Sequence, residues 1–289
     1  MKKIGFLGPV ATFTDIAVRG LFPEDRAIPQ ATIPACLDSL ANDEIDLAVV
    51  PIENALEGSV NITLDYLVHE ALYPIVGEMT IPIRQHLLIH PSQKLEDIQT
   101  VYSHSHAIAQ CHRFLHSTLK AVELVNMTST AAAAKYVSDH PDEKVAAIAN
   151  ALAAEEYQLT IAHQDIHDYS HNHTRFIVVA KQDCHLKTAQ KSKGYKTTVM
   201  VSLPDDRAGA LHQVLSAFSW RNLNLSKIES RPMKTGLGNY FFIIDIDQKI
   251  DDVLIPGVKA ELEALGCKVQ ILGSYPSYQL GKIEELTHK

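Results

Sequence analysis

The sequence predicts an α/β protein in two parts: a first domain over residues 1–181 and, after a linker at 182–196, a βαββαβ unit over 197–275, with a tail at 276–289. Three observations predict it. Up to about residue 181, short apolar runs alternate with segments of helical period, the pattern of βαβ units. Lys181 to Lys196 (KQDCHLKTAQKSKGYK) is polar, lysine-rich and aperiodic, as linkers are. Beyond it, the order strand, helix, strand, strand, helix, strand is ferredoxin-like.

In chain order, Ile4 to Leu7 reads as the first strand, followed by a helix from Thr14 to Leu21 that Pro23 ends. Thr32 is placed to cap a helix over Pro34 to Ala41. A strand at Leu47 to Val50 and a helix from Val60 to His69 follow, then strands at His86 to Ile89 and Thr100 to Tyr102. A helix is expected from His106 to Leu119, a strand at Val122 to Val125, and a helix from Thr130 to Val137 behind the cap Ser129. Val145 to Ala149 and Phe176 to Ala180 complete the first domain, with right-handed crossovers and a mostly parallel sheet. The second unit is read as strand 197–203, helix 209–221, strands 224–231 and 239–247, helix 251–265 and strand 268–275. Lys234-Thr235-Gly236-Leu237-Gly238 reads as the hairpin turn. Its glycines are turn chemistry rather than a nucleotide loop.

A length of 289 residues fits two domains, and 46% hydrophobic with 21% charged residues fits a globular chain with a proper core. The net charge of −8, with no basic block, argues against nucleic acid. An anionic substrate must then be held by local groups against the overall field. No run of about 18 apolar residues exists, so no membrane span is expected. Pro9 and the polar Thr12-Phe13-Thr14-Asp15 interrupt the N-terminal apolar stretch before a signal-peptide core can form. With four scattered cysteines (Cys36, Cys111, Cys184, Cys267) and no C-x-x-C pair, this points to the cytoplasm. The fifteen histidines include two clusters but no H-E-x-x-H and no convergent carboxylates, so no metal is expected.

The most informative segment is Asn172-His173-Thr174-Arg175-Phe176, polar and cationic at the mouth of Ile177-Val178-Val179-Ala180. Arg175 offers a fork for a carboxylate and Thr174 a hydroxyl for a second group of the same ligand. The bland alternative is a strand start and a sheet-end arginine. Three more segments have the composition of loops at strand ends: Gly8 to Thr14, Pro51-Ile52-Glu53-Asn54, and Ser103-His104. Such loops, set against helix N-termini, suit a two-lobed domain that binds a small acid in its cleft.

In this order the segments resemble the prephenate dehydratase family, and the C-terminal unit resembles the ACT regulatory domain. The matching stretches are Gly8-Pro9 with Thr12-Phe13-Thr14; Val50-Pro51-Ile52-Glu53-Asn54 with Glu57-Gly58-Ser59-Val60; Ser103-His104 with Gln110-Cys111; Ser129-Thr130-Ala131-Ala132; Asn172 with Thr174-Arg175-Phe176; Gly209-Ala210-Leu211-His212; and Ile228-Glu229-Ser230-Arg231-Pro232. The chain departs from the family at Ala55, where Ser is usual, at Ser105 and His106, where Pro and Gln are common, and at Arg207-Ala208.

The resemblance implies a two-lobed catalytic domain like periplasmic binding proteins of type II, and decarboxylating dehydration of prephenate to phenylpyruvate without a cofactor. It implies Thr174 at the leaving hydroxyl, Arg175 on a carboxylate, and Glu53 and Asn54 orienting Thr174 or the substrate, with a Glu53–Arg175 salt bridge an equal reading. Thr12, Phe13, Thr14, Ser103, His104, Asn172 and Phe176 are implied at the substrate, Phe176 mainly as packing. It further implies feedback by L-phenylalanine at Gly209, Ala210, Leu211, His212, Asn222, Leu225, Glu229, Ser230, Arg231 and Pro232, in a dimer or tetramer paired through the ACT domains. Chemistry is expected to be separable from regulation at the linker. Arogenate is an alternative substrate. A non-catalytic acid-binding protein is the rival from another class, and a transcriptional effector module lacks its helix-turn-helix.

Overall fold

The computed structural model describes residues 1–70, 73–205, 207–233 and 240–281. The chain crosses twice between two lobes. The first lobe holds β1 (Lys3–Leu7), α1 (Phe13–Leu21), β2 (Arg26–Gln30), α2 (Ile33–Ala41), β3 (Leu47–Asn54), β4 (Gly58–Ser59), α3 (Asn61–His69) and β5 (Ile75–Pro82). The second holds β6 (His86–Ile89), β7 (Thr100–Ser103), α4 (Ser105–Gln110), α5 (His112–Thr118), β8 (Glu123–Asn126), α6 (Thr130–Asp139), β9 (Val145–Ala149), α7 (Ala151–Glu156) and β10 (Thr160–His163). The chain then returns to the first lobe as β11 (His173–Val179). The two crossings are tied together by Ile83 N–H to the Asn172 carbonyl and Ile166 N–H to the Gln85 carbonyl, each 2.9 Å.

Local chemistry fixes the helix starts. Thr12, Thr32, Ser129 and Asn150 have extended backbones, and their side chains accept N–H groups of the first turns of α1, α2, α6 and α7. The helix expected over 106–119 is broken at Cys111 into α4 and α5; the Gln110 carbonyl accepts instead from Asp168 N–H at 2.6 Å.

The sheets are mixed, not mostly parallel. β1 pairs in parallel with β2 and β3, but β11 is antiparallel to both β3 and β5, because the return from the second lobe enters from the opposite end. In the second lobe the five strands run β10-β6-β9-β7-β8. Strands β2, β5, β10 and the two-residue β4 went unread in the sequence. β2 carries Pro29 and sits at the sheet edge, where proline is tolerated, and Gly77 and Glu78 interrupt the apolar run of β5.

The C-terminal unit is β12 (Gly194–Ser202), α8 (Ala210–Ser219), β13 (Leu225–Pro232), β14 (Tyr240–Ile246), α9 (Leu254–Ala264) and β15 (Lys268–Gln279), the βαββαβ order. The hairpin expected at 234–238 lies outside the described residues. β15 runs past the expected end at Tyr275 and pairs in parallel with β5, joining both domains in one ten-stranded sheet. Otherwise β5 would present an open edge. Gly273 permits the approach, since a Cβ there would lie 2.1 Å from the Ile75 carbonyl oxygen. Phe241, Ile243, Leu272 and Tyr275 share a core with Val50, Ile52, Ile75 and Ile177. Residues 181–193 are pinned rather than free: Leu186 packs on the first-lobe core, Ala189 N–H reaches the Leu21 carbonyl, and Lys193 N–H that of Ser277. Among the described residues no helix is long and apolar enough to cross a membrane.

Candidate active site

A cavity of about 490 Å³ lies between the lobes. The α1 start (Thr12, Phe13, Thr14), the turn after β3 (Asn54, Glu57, Gly58, Ser59), the crossing residues Ile83 and Gln85, the α4 start (His104, His106) and the α6 start (Thr128, Ser129, Thr130) line it, with Thr174 and Phe176 from β11. Three helices therefore begin on one cavity, and their first amides lack intrahelical acceptors. Together with the helix dipoles they favour an anion. Among the described residues lining this cavity there is no lysine or arginine, so the amide ends and hydroxyls are its means of holding carboxylates.

Strand geometry separates the central pair of residues. Successive side chains point to opposite faces, so Thr174 and Phe176 face the cleft while Arg175 faces the other side. Thr174 stands opposite Asn54 on β3, whose Nδ2 donates to Thr174 Oγ1 at 2.8 Å. Because that oxygen already accepts, the Thr174 O–H is left to donate. Asn54 is itself held, its Oδ1 accepting from the Leu56 and Glu57 amides.

The expectation that Arg175 clamps a substrate carboxylate is corrected. Its guanidinium, 15% exposed, meets Glu53 at 2.7 Å, Glu78 at 2.7 Å and Asp245 of β14 at 2.9 Å. Burial pulls the Arg175 pKa down, but Asp245 and Glu78 outweigh it and raise it. Burial raises the Glu53 carboxyl, and Lys227 and Arg175 bring it below its ordinary value. Glu78 likewise is raised by burial and held low overall by Arg175 and Lys196. Glu53 is thus the ion-pair partner of Arg175, pointing away from the cleft beside Asn54, which points in.

Ser103 is also displaced: it is fully buried and its Oγ donates to the Ile148 carbonyl at 2.7 Å, outside the cavity. Asn172 stands behind the lining, its Nδ2 donating to Gln110 Oε1 at 3.2 Å. Gln110 in turn donates to Glu57 at 3.5 Å, and His106 Nδ1 lies 3.8 Å from Glu57. Burial, with His106 adding to it, lowers the His104 pKa and so favours the neutral imidazole, against the opposing pull of Glu57. Glu57, Gln85, His106, Gln110 and the Ser129–Thr130 helix start line the cavity without having been singled out as site residues. For Ser129 the signal was present, since a cap also marks a helix start. For Gln85 there was none, because only the crossing of the lobes brings it there.

A second cavity, of about 570 Å³, lies in the C-terminal domain. Gly209, Ala210, Leu211 and His212 at the α8 start line it with Ser230, Tyr240 and Phe242. Gly209 has φ +83°, a left-handed value that suits glycine. The other expected effector residues are elsewhere. On β13, Ser230 faces this cavity, whereas its neighbours Glu229 and Arg231 face the catalytic domain, at Ser59 and at Asp65 and Asn61. Asn222 lies in the turn after α8, Leu225 packs on the C-terminal core, and Pro232 ends β13; none lines the cavity.

A family model described as Prephenate dehydratase matches residues 4–184, and one described as ACT domain matches residues 197–265. The chain is 58% identical to a prephenate dehydratase of Bacillus subtilis over 96% of this chain and 100% of that one. Its structure is similar to that of a prephenate dehydratase in complex with L-Phe from Arthrobacter aurescens: TM-score 0.83, 37% identity, covering 94% of this chain and 89% of that one. It is also similar to the prephenate dehydratase of Staphylococcus aureus, with TM-score 0.80 and 32% identity, covering 94% and 99%.

Proposed function

The chain belongs to the prephenate dehydratase family, and we propose that it converts prephenate to phenylpyruvate, carbon dioxide and water in the cytoplasm, as a carbon–oxygen lyase of L-phenylalanine biosynthesis. As the ring carboxylate leaves as carbon dioxide, its bonding pair moves through the cyclohexadiene. The bond to the ring hydroxyl then breaks, and the oxygen departs with one added proton as water. Aromatisation drives the step.

The observation that carries this reading is the Thr174–Asn54 pair at the cleft floor. Asn54 fixes the Thr174 oxygen as an acceptor, which turns its O–H toward the departing oxygen. A hydroxyl of such high pKa serves as a donor to developing charge rather than as a free acid. The carboxylates are held by the amide ends of α1 and α6, with the Thr12, Thr14, Ser129 and Thr130 groups around them. Phe13, Ile83 and Phe176 give the ring an apolar wall.

L-Phenylalanine acts as feedback effector at the Gly209–His212 helix start and Ser230, a cavity with bare backbone for a carboxylate and Tyr240 and Phe242 for a ring. Leu211, Ile228 and Tyr240 leave apolar surface beside it, which supports pairing of ACT domains in a dimer or tetramer. The test is incubation of the purified protein with prephenate, following phenylpyruvate absorbance in alkali. Arogenate is run in parallel, with phenylalanine followed by chromatography. Turnover of neither substrate would overturn the reading; turnover of arogenate alone would replace the substrate.

A further inference from the structure

The face of the sheet turned away from the cleft holds a buried polar cluster that the chemistry does not touch. Its centre is Arg175, bonded to Glu53 of β3, Glu78 of β5 and Asp245 of β14, so one guanidinium ties three strands. Of its three carboxylates only Asp245 comes from the C-terminal domain. Asp245 is 3% exposed, and its other oxygen accepts from Thr198 Oγ1 at 2.7 Å, which contacts the Tyr275 hydroxyl at 2.6 Å.

We propose that Asp245 of the C-terminal domain is a positioning residue for the reaction in the cleft: through Arg175 and Glu53 it fixes the strand ends that present Thr174 and Asn54. Two features make such fixing necessary. The β3–β11 register shifts between Arg175 and Phe176, so Glu53 opposes Arg175 but Pro51 opposes Phe176. A bulge of this kind re-aims side chains and interrupts the ladder. The Thr174–Asn54 pair lies beyond it, at the last residue of β3 and the second of β11, one backbone bond (Ala55 N–H to the His173 carbonyl, 2.8 Å) from the end of the β3–β11 ladder. Across the bulge, the Arg175–Glu53 bond, one residue away on both strands, ties β3 to β11 on the face opposite the pair. Arg175 in turn is held by Glu78 on β5 and, across the domain boundary, by Asp245. Phe242, on the same strand as Asp245, lines the effector cavity, so that cavity and this anchor share one rigid element.

The inference rests on the dehydratase reading, and the test separates the two. In the full-length chain, Asp245→Asn keeps the shape and removes the charge. The control is Arg231→Met, which breaks another interdomain ion pair, with Asp65 on α3, and which reaches Glu53 only at third hand, through Glu229 and Lys227. Prephenate kinetics are compared with folded fraction by circular dichroism. Asp245→Asn is expected to lower kcat by roughly 10–100-fold with KM changed less than about threefold, since a small misplacement of a reacting group has that effect. Arg231→Met keeps kcat within about twofold. Should Asp245→Asn fail to fold, Thr198→Val, which leaves both charges in place and removes the bond that orients Asp245, must show the same kcat-selective loss. Normal kcat in the folded Asp245 or Thr198 variant, or an equal kcat loss in Arg231→Met, overturns the proposal. An inactive parent protein would instead overturn the dehydratase reading.

Discussion

Replacing Arg175 by Leu tests the central correction, because a cleft clamp and an interdomain anchor fail differently. The substitution leaves the buried Glu78 with Lys196 at 3.2 Å and the Ser277 hydroxyl, and leaves the buried Asp245 with the Thr198 hydroxyl. Removing one partner from a buried ionic cluster costs about 3–5 kcal/mol, out of a total stability of only about 5–15 kcal/mol. For a chain of this size that is a fall in Tm of roughly 6–20 °C. The loss is pH-dependent. In the parent, Glu78 is held below its ordinary value, so its contribution is present above the unfolded carboxyl pKa and lost as pH falls through the lower folded one. Without Arg175, burial dominates and Glu78 protonates at higher pH. The deficit of the variant is therefore largest near neutrality and shrinks as pH falls toward about 4. Calorimetric melting of both proteins at several pH values measures it. kcat falls with positioning, while KM for prephenate changes little. A variant that melts within about 2 °C of the parent, shows no such pH dependence and loses only KM would refute the anchor and restore Arg175 to the substrate.

Thr174→Ala is expected to lower kcat by about 10²–10⁴-fold with little change in KM, and Thr174→Ser to retain part of the activity; near-normal steady-state turnover in the alanine variant removes Thr174 from the chemistry. From the sequence, a chain ending near Ala189 is expected to keep activity at some cost in stability and to lose inhibition by L-phenylalanine. The structure predicts instead that it is poorly folded, because it opens the β5 edge, uncovers Val50, Ile75 and Ile177, and strips Arg175 and Glu78 of Asp245 and Lys196. Size-exclusion chromatography and activity of the truncated chain decide between the two. Ser230→Ala and Gly209→Val are expected to weaken L-phenylalanine binding in calorimetry while basal turnover persists. At Gly209 the reason is the left-handed φ, since a Cβ would meet nothing within 4 Å. Unchanged binding in both moves the effector elsewhere.

Much of the architecture was legible because local signals and packing agree. Thr32 and Ser129 announce α2 and α6, and the apolar run 145–149 makes a buried strand wherever it is placed. The βαββαβ order and the composition of the cleft loops follow from the same patterns, as does Thr174 at a cavity between the lobes. The place of Arg175 was half-legible: adjacent residues of one strand cannot both face the cleft, so Thr174 in the site already sends Arg175 out of it. Residue order does not show what waits on the other face. Glu78 lay in a strand the sequence hid, and Asp245 lies 70 residues from Arg175. They meet because β15 closes the open edge of β5 and lays the C-terminal sheet against the first lobe. Faces alternate with a local period that a sequence carries, whereas the partners of a face are chosen by sheet edges and buried area that exist only once the chain has folded.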